Sequence, residues 1–279
     1  MSKFEALHDL LRNRSAAAGM LITVLVLMVA LVGPGLVPYN PNAPMPLDRL
    51  KGPSAAHYFG TDSLGRDIFS RVIYGARISV MIGLISVAIS LVPGTLLGLM
   101  SGYFGGWMDS LIMRLMDMLL AFPAILLAIF ITAILGPSLP NTMIAVGIVY
   151  IPHYARIVRS SVLSLREQLY VQAISHLGGS HGRILFRHIL PNALPPIIVY
   201  ATLGMGTAVL QAAALGFLGL GAQPPQPEWG AMLSEGRQYI QLAPHVAAFP
   251  GAAILLLVLG FNLFGDGLRD VLDPSLRSQ

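Results

Sequence analysis

Few residues in this chain have the type and spacing for covalent chemistry. Gly178-Gly179-Ser180-His181-Gly182 matches G-x-S-x-G, the turn that presents a nucleophilic serine in many hydrolases. That chemistry needs the serine on a sharp strand-to-helix turn, with acid and histidine partners brought close by a folded sheet. Here Ser180 follows a helical pattern with no strand signals around it, so it reads as a helix cap. The seven histidines show no metal-ligand clustering beyond His181 and His188, two turns apart, which read as solvated. H-E-x-x-H and G-x-x-x-x-G-K-[ST] are both absent, and neither Lys3 nor Lys51 sits in a glycine loop that could cradle phosphates. The absence of cysteine excludes disulfides and thiolate sites. The expectation is therefore no catalytic residue, no metal and no cofactor held by this chain.

The elements that carry these residues are those of a membrane protein. Of 279 residues 55% are hydrophobic and only 11% charged, against the roughly 25% charged residues of a soluble domain; the mean hydropathy is +0.71. Formal net charge is +4, and 15 of the 17 basic residues are arginine. These arginines flank apolar runs rather than lining an aromatic-interleaved basic face, so they report orientation in lipid and not nucleic-acid binding.

In chain order, an apolar stretch from Ala16 to Val37 is long enough to be a retained first span. Residues 38–60 hold five prolines and read as an extended extramembrane loop. In Gly60 to Arg77, Ile68, Phe69, Val72, Ile73 and Ala76 make an apolar stripe opposite Arg66, Ser70 and Arg77. This predicts a helix along the membrane surface with Thr61 or Asp62 near its cap, a simple extension of the next span being the alternative. Further spans are expected within Ile78–Met108, over Met118–Leu135, from Thr142 to about Val158, from about Leu194 to Leu220, and from His245 to Phe264. Gly94, Gly98 and Gly102, and again Gly204, Ala208, Ala212 and Gly216, fall at the four-residue spacing that lets helices approach closely. A loop rich in Gly, Pro and Gln is expected over Gly221–Pro244. The fold class is all-α with six transmembrane helices: residues 1–77 as an N-terminal portion, residues 78–279 as the core.

Six spans put both termini on one side. Segments on that side hold 11 basic residues against 6 on the other, so the positive-inside rule places the termini in the cytoplasm.

Arg156 to Asn192 is the one long polar segment late in the chain. Tyr170, Ala173, Ile174 and Leu177 share a helix face, and Gly178 and Gly179 end that helix. Ser180 can cap a second short helix with Arg183 and Arg187 on one face, stopped by Pro191. A bent helix pair with an apolar stripe and a basic rim, set between two spans, is a docking surface. Polar residues inside spans default to functional candidates. His153, Arg156, Gln211 and Asn262 qualify, a hydrogen bond between helices being the plain alternative for Gln211 and Asn262.

Tyr170 to Asn192, YVQAISHLGGSHGRILFRHILPN, resembles the EAA signature of binding-protein-dependent ABC importer permeases. Gln172 stands where the Glu usually is, Ala173 matches, and Ile174 replaces the second Ala. Gly178, Leu190 and Pro191 match, with His188 in the isoleucine place. Phe59 to Arg71, Phe217 to Leu233 and Asn262 to Pro274 narrow the resemblance to the dipeptide, oligopeptide and nickel group, and to the second of its two paired membrane subunits. The resemblance implies a coupling loop over about 160–191 that inserts into an ATPase subunit, with ATP bound by that partner. It also implies a second homologous permease, two ATP-binding subunits, an extracytoplasmic substrate-binding protein and a prokaryotic inner membrane. Short peptides are the expected cargo, nickel or a metal–opine chelate the alternative. Glu228 and Trp229 are candidate contacts for the binding protein, Gln211 and Asn262 for the substrate.

Overall fold

The computed structural model describes residues 13–272; Lys3, Arg12 and Arg277, counted above for orientation, lie outside them. The described chain is helical, with one isolated bridge between Thr61 and Asp67. Helix α1 spans Arg14–Val32, capped by the Asn13 side chain on the amides of Ser15 and Ala16. A loop lobe follows, and then α2, Ile68–Phe104, runs unbroken for 37 residues. At 1.5 Å per residue that is about 55 Å, well beyond a hydrocarbon core of about 30 Å. The expected surface helix over 60–77 is therefore the first part of α2, the alternative reading. Asp67 caps it by accepting from the Ser70 amide. Neither Thr61 nor Asp62 does so, because the Asp62 side chain is committed to Arg66 and the amides of Leu64 and Arg66.

The expected third span is not one straight helix. Helix α3, Gly106–Leu120, and α4, Ala124–Leu135, meet at 89° across Ala121–Pro123. Proline disfavours helical geometry in the residue before it, here Phe122. Helix α5 follows over Leu139–Arg166. The short helix α6, Leu169–His176, leads to α7, His181–Phe217. Helices α8, Trp229–Gly236, and α9, His245–Leu272, are the last α-helices among the described residues, so the expected loop 221–244 contains a helix. Among the described residues, four helices (α1, α2, α7 and α9) are long and apolar enough to cross a membrane, or five counting α3 with α4 as one bent span. Helix α5 is as long as α9, but His153, Arg156, Arg159 and Arg166 make its second half polar.

The bundle packs around α2 and α5, and the glycines at four-residue spacing are the reason. A Cβ at Gly94 would lie 2.6 Å from the Tyr154 Cβ, at Gly98 2.5 Å from the Ala155 carbonyl oxygen, and at Gly102 2.8 Å from the Val162 Cβ. Close approach of the two backbones is thus written into one face of α2. The α3 turn is tied to the same pair: Arg159 grips Asp109 in a bidentate contact at 2.6 Å for each bond, and Ser101 also donates to Asp109.

Candidate functional site

Helix α6 sits at the end of the bundle where α2 and α5 finish. Its boundaries follow from local chemistry. Gly178 takes φ +82°, and the amides of Gly178 and Gly179 bond to the carbonyls of Ser175 and Ile174, the glycine-terminated helix end that satisfies orphan carbonyls. Gly179 is also held to glycine by space, since a Cβ would lie 2.7 Å from the Ile174 Cγ2.

The helix has two apolar faces rather than one. Val171 is buried, and with the half-buried Ile174 it packs on Leu99, Val158, Val162, Ile184 and Ile189. Leu169 and Leu177 are 83% and 86% exposed, and with the exposed Ala173 they form an outward stripe at four-residue spacing. Tyr170, 41% exposed, flanks it and meets Asn192 at 3.2 Å. Gln172 is exposed and bonds to the Glu167 carbonyl at 3.3 Å. The predicted stripe thus merged two faces: Ile174 belongs to the seat, and Val171 was missed.

The predicted second short helix does not stop at Pro191. Residues Ile184–Ile189 form one widened turn, in which the Leu190 amide reaches the Leu185 carbonyl five residues back, and α7 continues to Phe217. Such a turn relaxes the clash between a proline ring and the preceding helix, so Pro191, Pro195 and Pro196 ride inside a continuous element. The α6 segment is therefore joined rigidly to a span, with Arg183 and Arg187 exposed beside it. Ser180 precedes α7 with extended backbone but makes no side-chain cap bond.

Midway along the bundle, α2, α5 and α7 enclose a cavity lined by Ser86, Ser90, Tyr150, Tyr154, Tyr200 and Thr207 among others. Gln211 bonds to Tyr150 Oη at 3.3 Å, so it faces this cluster. His153 stacks near Tyr150 and Tyr200, at 5.5 and 6.4 Å between centroids. Asn262, by contrast, is exposed on α9, with its Oδ1 near Gly206. Tyr200 and Leu203 are shared with a larger groove that leads past Pro195 and Val199 to Arg269 and Leu272.

At the opposite end, the lobe before α2 and the helix α8 lock together. Glu228 and Trp229 are each only 2% exposed, so neither presents a surface for a partner to touch. Trp229 Nε1 donates to the Val72 carbonyl at 3.0 Å, entering where Gly75 leaves room. Glu228 caps α8 by accepting from the amides of Gly230 and Ala231 at 2.8 Å each. Burial pushes its carboxyl pKa up, opposed by those two bonds. A second tie joins Arg66 to Asp62 at 2.6 Å and to Glu235 at 2.7 Å. Sequence reasoning offered Asp62 only as a helix cap and missed Glu235; opposite charges beside a surface-helix pattern were the available signal. Among the described residues no group of three or more His, Asp or Glu side chains comes together as a metal site.

An all-helical bundle with apolar spans, a short exposed helix clamped onto the ends of two long ones and a hydroxyl-lined cleft defines a polytopic membrane permease. Comparison with known proteins makes this specific. Residues 94–278 match the family described as the inner membrane component of binding-protein-dependent transport systems, and residues 4–53 match the N-terminal transmembrane domain of oligopeptide transport permease C. The chain belongs to this family of ABC importer permeases. It is 56% identical over 274 residues to a dipeptide transport system permease of Alkalihalophilus pseudofirmus, covering 98% of this chain and 90% of that one. It is 50% identical over 269 residues to a glutathione transport system permease of Pectobacterium atrosepticum, covering 96% and 89%. A probable D,D-dipeptide permease of Escherichia coli is 51% identical over 253 residues, covering 91% and 85%. In fold, the chain is similar to a chain of the methionine ABC transporter MetNI in an inward-facing form. The TM-score is 0.58 at 20% identity, covering 74% of this chain and 98% of that one. The chain is thus a transport subunit with the type I importer permease fold and not an enzyme.

Proposed function

We propose that this chain carries short peptides across a bacterial inner membrane, paired with a second, homologous permease. Two separate ATP-binding subunits drive it and an extracytoplasmic binding protein delivers its cargo. The observation that carries the substrate class is kinship at 50–56% identity, over nearly the whole chain, with permeases named for dipeptides and glutathione. Both termini and α6 face the cytoplasm in this reading, which rests on the excess of basic residues there. Residues 1–77 serve as an accessory N-terminal portion and 78–279 as the permease core, a division supported by separate family matches on either side of it.

Tyr170, Gln172, Ala173, Ile174, Leu177 and Gly178 form the coupling element, with Leu190 and Pro191 at the start of the span it moves. The outward stripe of α6 enters a groove on the ATPase, while Val171 and Ile174 transmit its displacement to α2, α5 and α7 as a rigid body. ATP is bound and hydrolysed in the partner.

Uptake tests the whole reading. Cells deleted for the permease and complemented with it are challenged with labelled di- and tripeptides and with labelled nickel. Peptide uptake restored by the gene is the expected result; restored nickel uptake with peptides indifferent overturns the substrate class. A single cysteine at Ala173, in a chain that has none of its own, tests coupling. A nucleotide-sensitive crosslink to an ATPase subunit is expected, and its absence from both subunits overturns the assignment.

A further inference from the structure

The cavity between α2, α5 and α7 has about 80 Å³ of space, several times the roughly 10–15 Å³ that one water needs. Its lining carries hydroxyls and no charged side chain. Tyr150 and Tyr154 line it from successive turns of α5. Gln211 Nε2 donates to Tyr150 Oη at 3.3 Å, which occupies a lone pair and leaves the phenol proton free to donate. Tyr154 is 1% exposed and its hydroxyl has no hydrogen-bond partner. Ser90 Oγ, beside it, gives its own proton to the carbonyls of Ser86 and Val87, so it can offer the phenol a lone pair and no donor. A buried hydroxyl left unpaired is destabilising, and Tyr154 is one of the residues that line the cavity. Gly204 keeps that space clear, since a Cβ would stand 2.8 Å from Tyr154 Oη.

Two phenol donors, with no cation and no carboxylate in the lining, select an uncharged acceptor oxygen. A free carboxylate would find no counter-charge there, and a metal ion no ligand set. The peptide carbonyl is such an acceptor and is common to every peptide whatever its side chains. We infer that Tyr150 and Tyr154 form a backbone-reading station in the translocation path, each donating to a carbonyl oxygen of the passing peptide. The shared wall with the groove toward Arg269 gives the cargo its way onward. This inference rests on the peptide reading above.

The test uses the complete transporter with its binding protein, and compares a dipeptide with the isostere in which sulfur replaces the amide oxygen, a much weaker acceptor. Tyr150→Phe and Tyr154→Phe are each expected to lower uptake of the ordinary dipeptide about fivefold, the worth of one hydrogen bond. Uptake of the thioamide should stay within about twofold of wild type, so the transporter's preference for oxygen collapses. Equal losses for both cargoes, or no loss for either, overturn the station and reduce the cavity to a structural water site. If the wild-type transporter imports neither cargo, the peptide reading fails and the station falls with it; failure confined to the variants leaves that reading standing. Co-purification of each variant with its partners at wild-type yield separates loss of contact from loss of assembly.

Discussion

Arg66 Nη2 lies 2.7 Å from Glu235 Oε2, across 169 residues of sequence, and its Nε lies 2.6 Å from Asp62 Oδ2. Arg71 approaches the same two carboxylates at 3.5 and 3.7 Å. Two arginines thus share two carboxylates between the lobe and α8, but the carboxylates differ: the Asp62 side chain is 4% exposed and that of Glu235 29%. Breaking a buried pair strands a charge at a cost of about 3–5 kcal/mol, whereas solvent screens much of the loss at a part-exposed one. Asp62→Asn should therefore lower the thermal unfolding midpoint of the detergent-purified protein by at least twice as much as Glu235→Gln. A reversed order would mean that the lobe is held by its other contacts.

Close packing of α2 on α5 predicts the response to single methyl groups. At Gly98 a Cβ would lie 2.5 Å from a backbone oxygen and 2.7 Å from the Val158 Cβ, neither of which can swing aside. Gly98→Ala should destabilise by about 1–3 kcal/mol through overpacking. Gly251 on α9 has only Leu233 Cδ2 nearby, at an ordinary 3.6 Å. There the same substitution should be neutral or stabilising by about 0.5–1 kcal/mol, because alanine loses less chain entropy in a helix. Thermal midpoints of the two variants measured side by side check the contrast.

Glu228 predicts a pH dependence of opposite sign to that of an ordinary salt-bridged carboxylate. Its pKa is raised by burial, so the folded state holds the proton over a window, from the usual carboxylate value upward, in which the unfolded chain has released it. Stability then falls as pH rises through that window. Glu228→Gln keeps an acceptor for the α8 amides and removes the titration. Its unfolding midpoint should be flatter with pH than that of the wild type; parallel curves would assign the dependence to another group.

How much of this was legible in the sequence depends on whether the deciding contacts are local. Gly178 ends α6 as its type predicts, because the left-handed turn is set by neighbours within five residues. Gly94, Gly98 and Gly102 marked a packing face, since a missing side chain is itself the signal. Glu228 and Trp229 misled because Pro and Gln around them read as loop. Trp229 is buried by Val72 and Gly75, over 150 residues away, a relation that no local window contains. Pro191 misled in the other direction: a proline stops a regular helix, but the widened turn before it lets α7 run on. Helical periodicity found the apolar residues of α6 without telling which neighbour each would meet, so one stripe was read where two faces exist.

Those two faces separate folding from coupling. Val171 is 4% exposed in the cluster formed with Val158, Val162 and Ile184, so Val171→Ala removes packed methyl groups and should cost about 1–3 kcal/mol. Leu169 and Leu177 touch little within the chain at 83% and 86% exposure, so Leu169→Ser and Leu177→Ser should leave the unfolding midpoint of the isolated permease within the small change typical of surface substitutions. In the assembled transporter the order inverts. An apolar side chain buried at a docking surface contributes about 1.5–3 kcal/mol, so each serine variant should weaken capture of the ATPase subunits at least tenfold and depress uptake with it. Val171→Ala, once folded, should still capture them. Pull-down of the ATPases by the purified permease variants, alongside their melting curves, reads both quantities from one preparation. Serine variants that melt early but bind normally would place Leu169 and Leu177 in the fold and leave the coupling surface elsewhere.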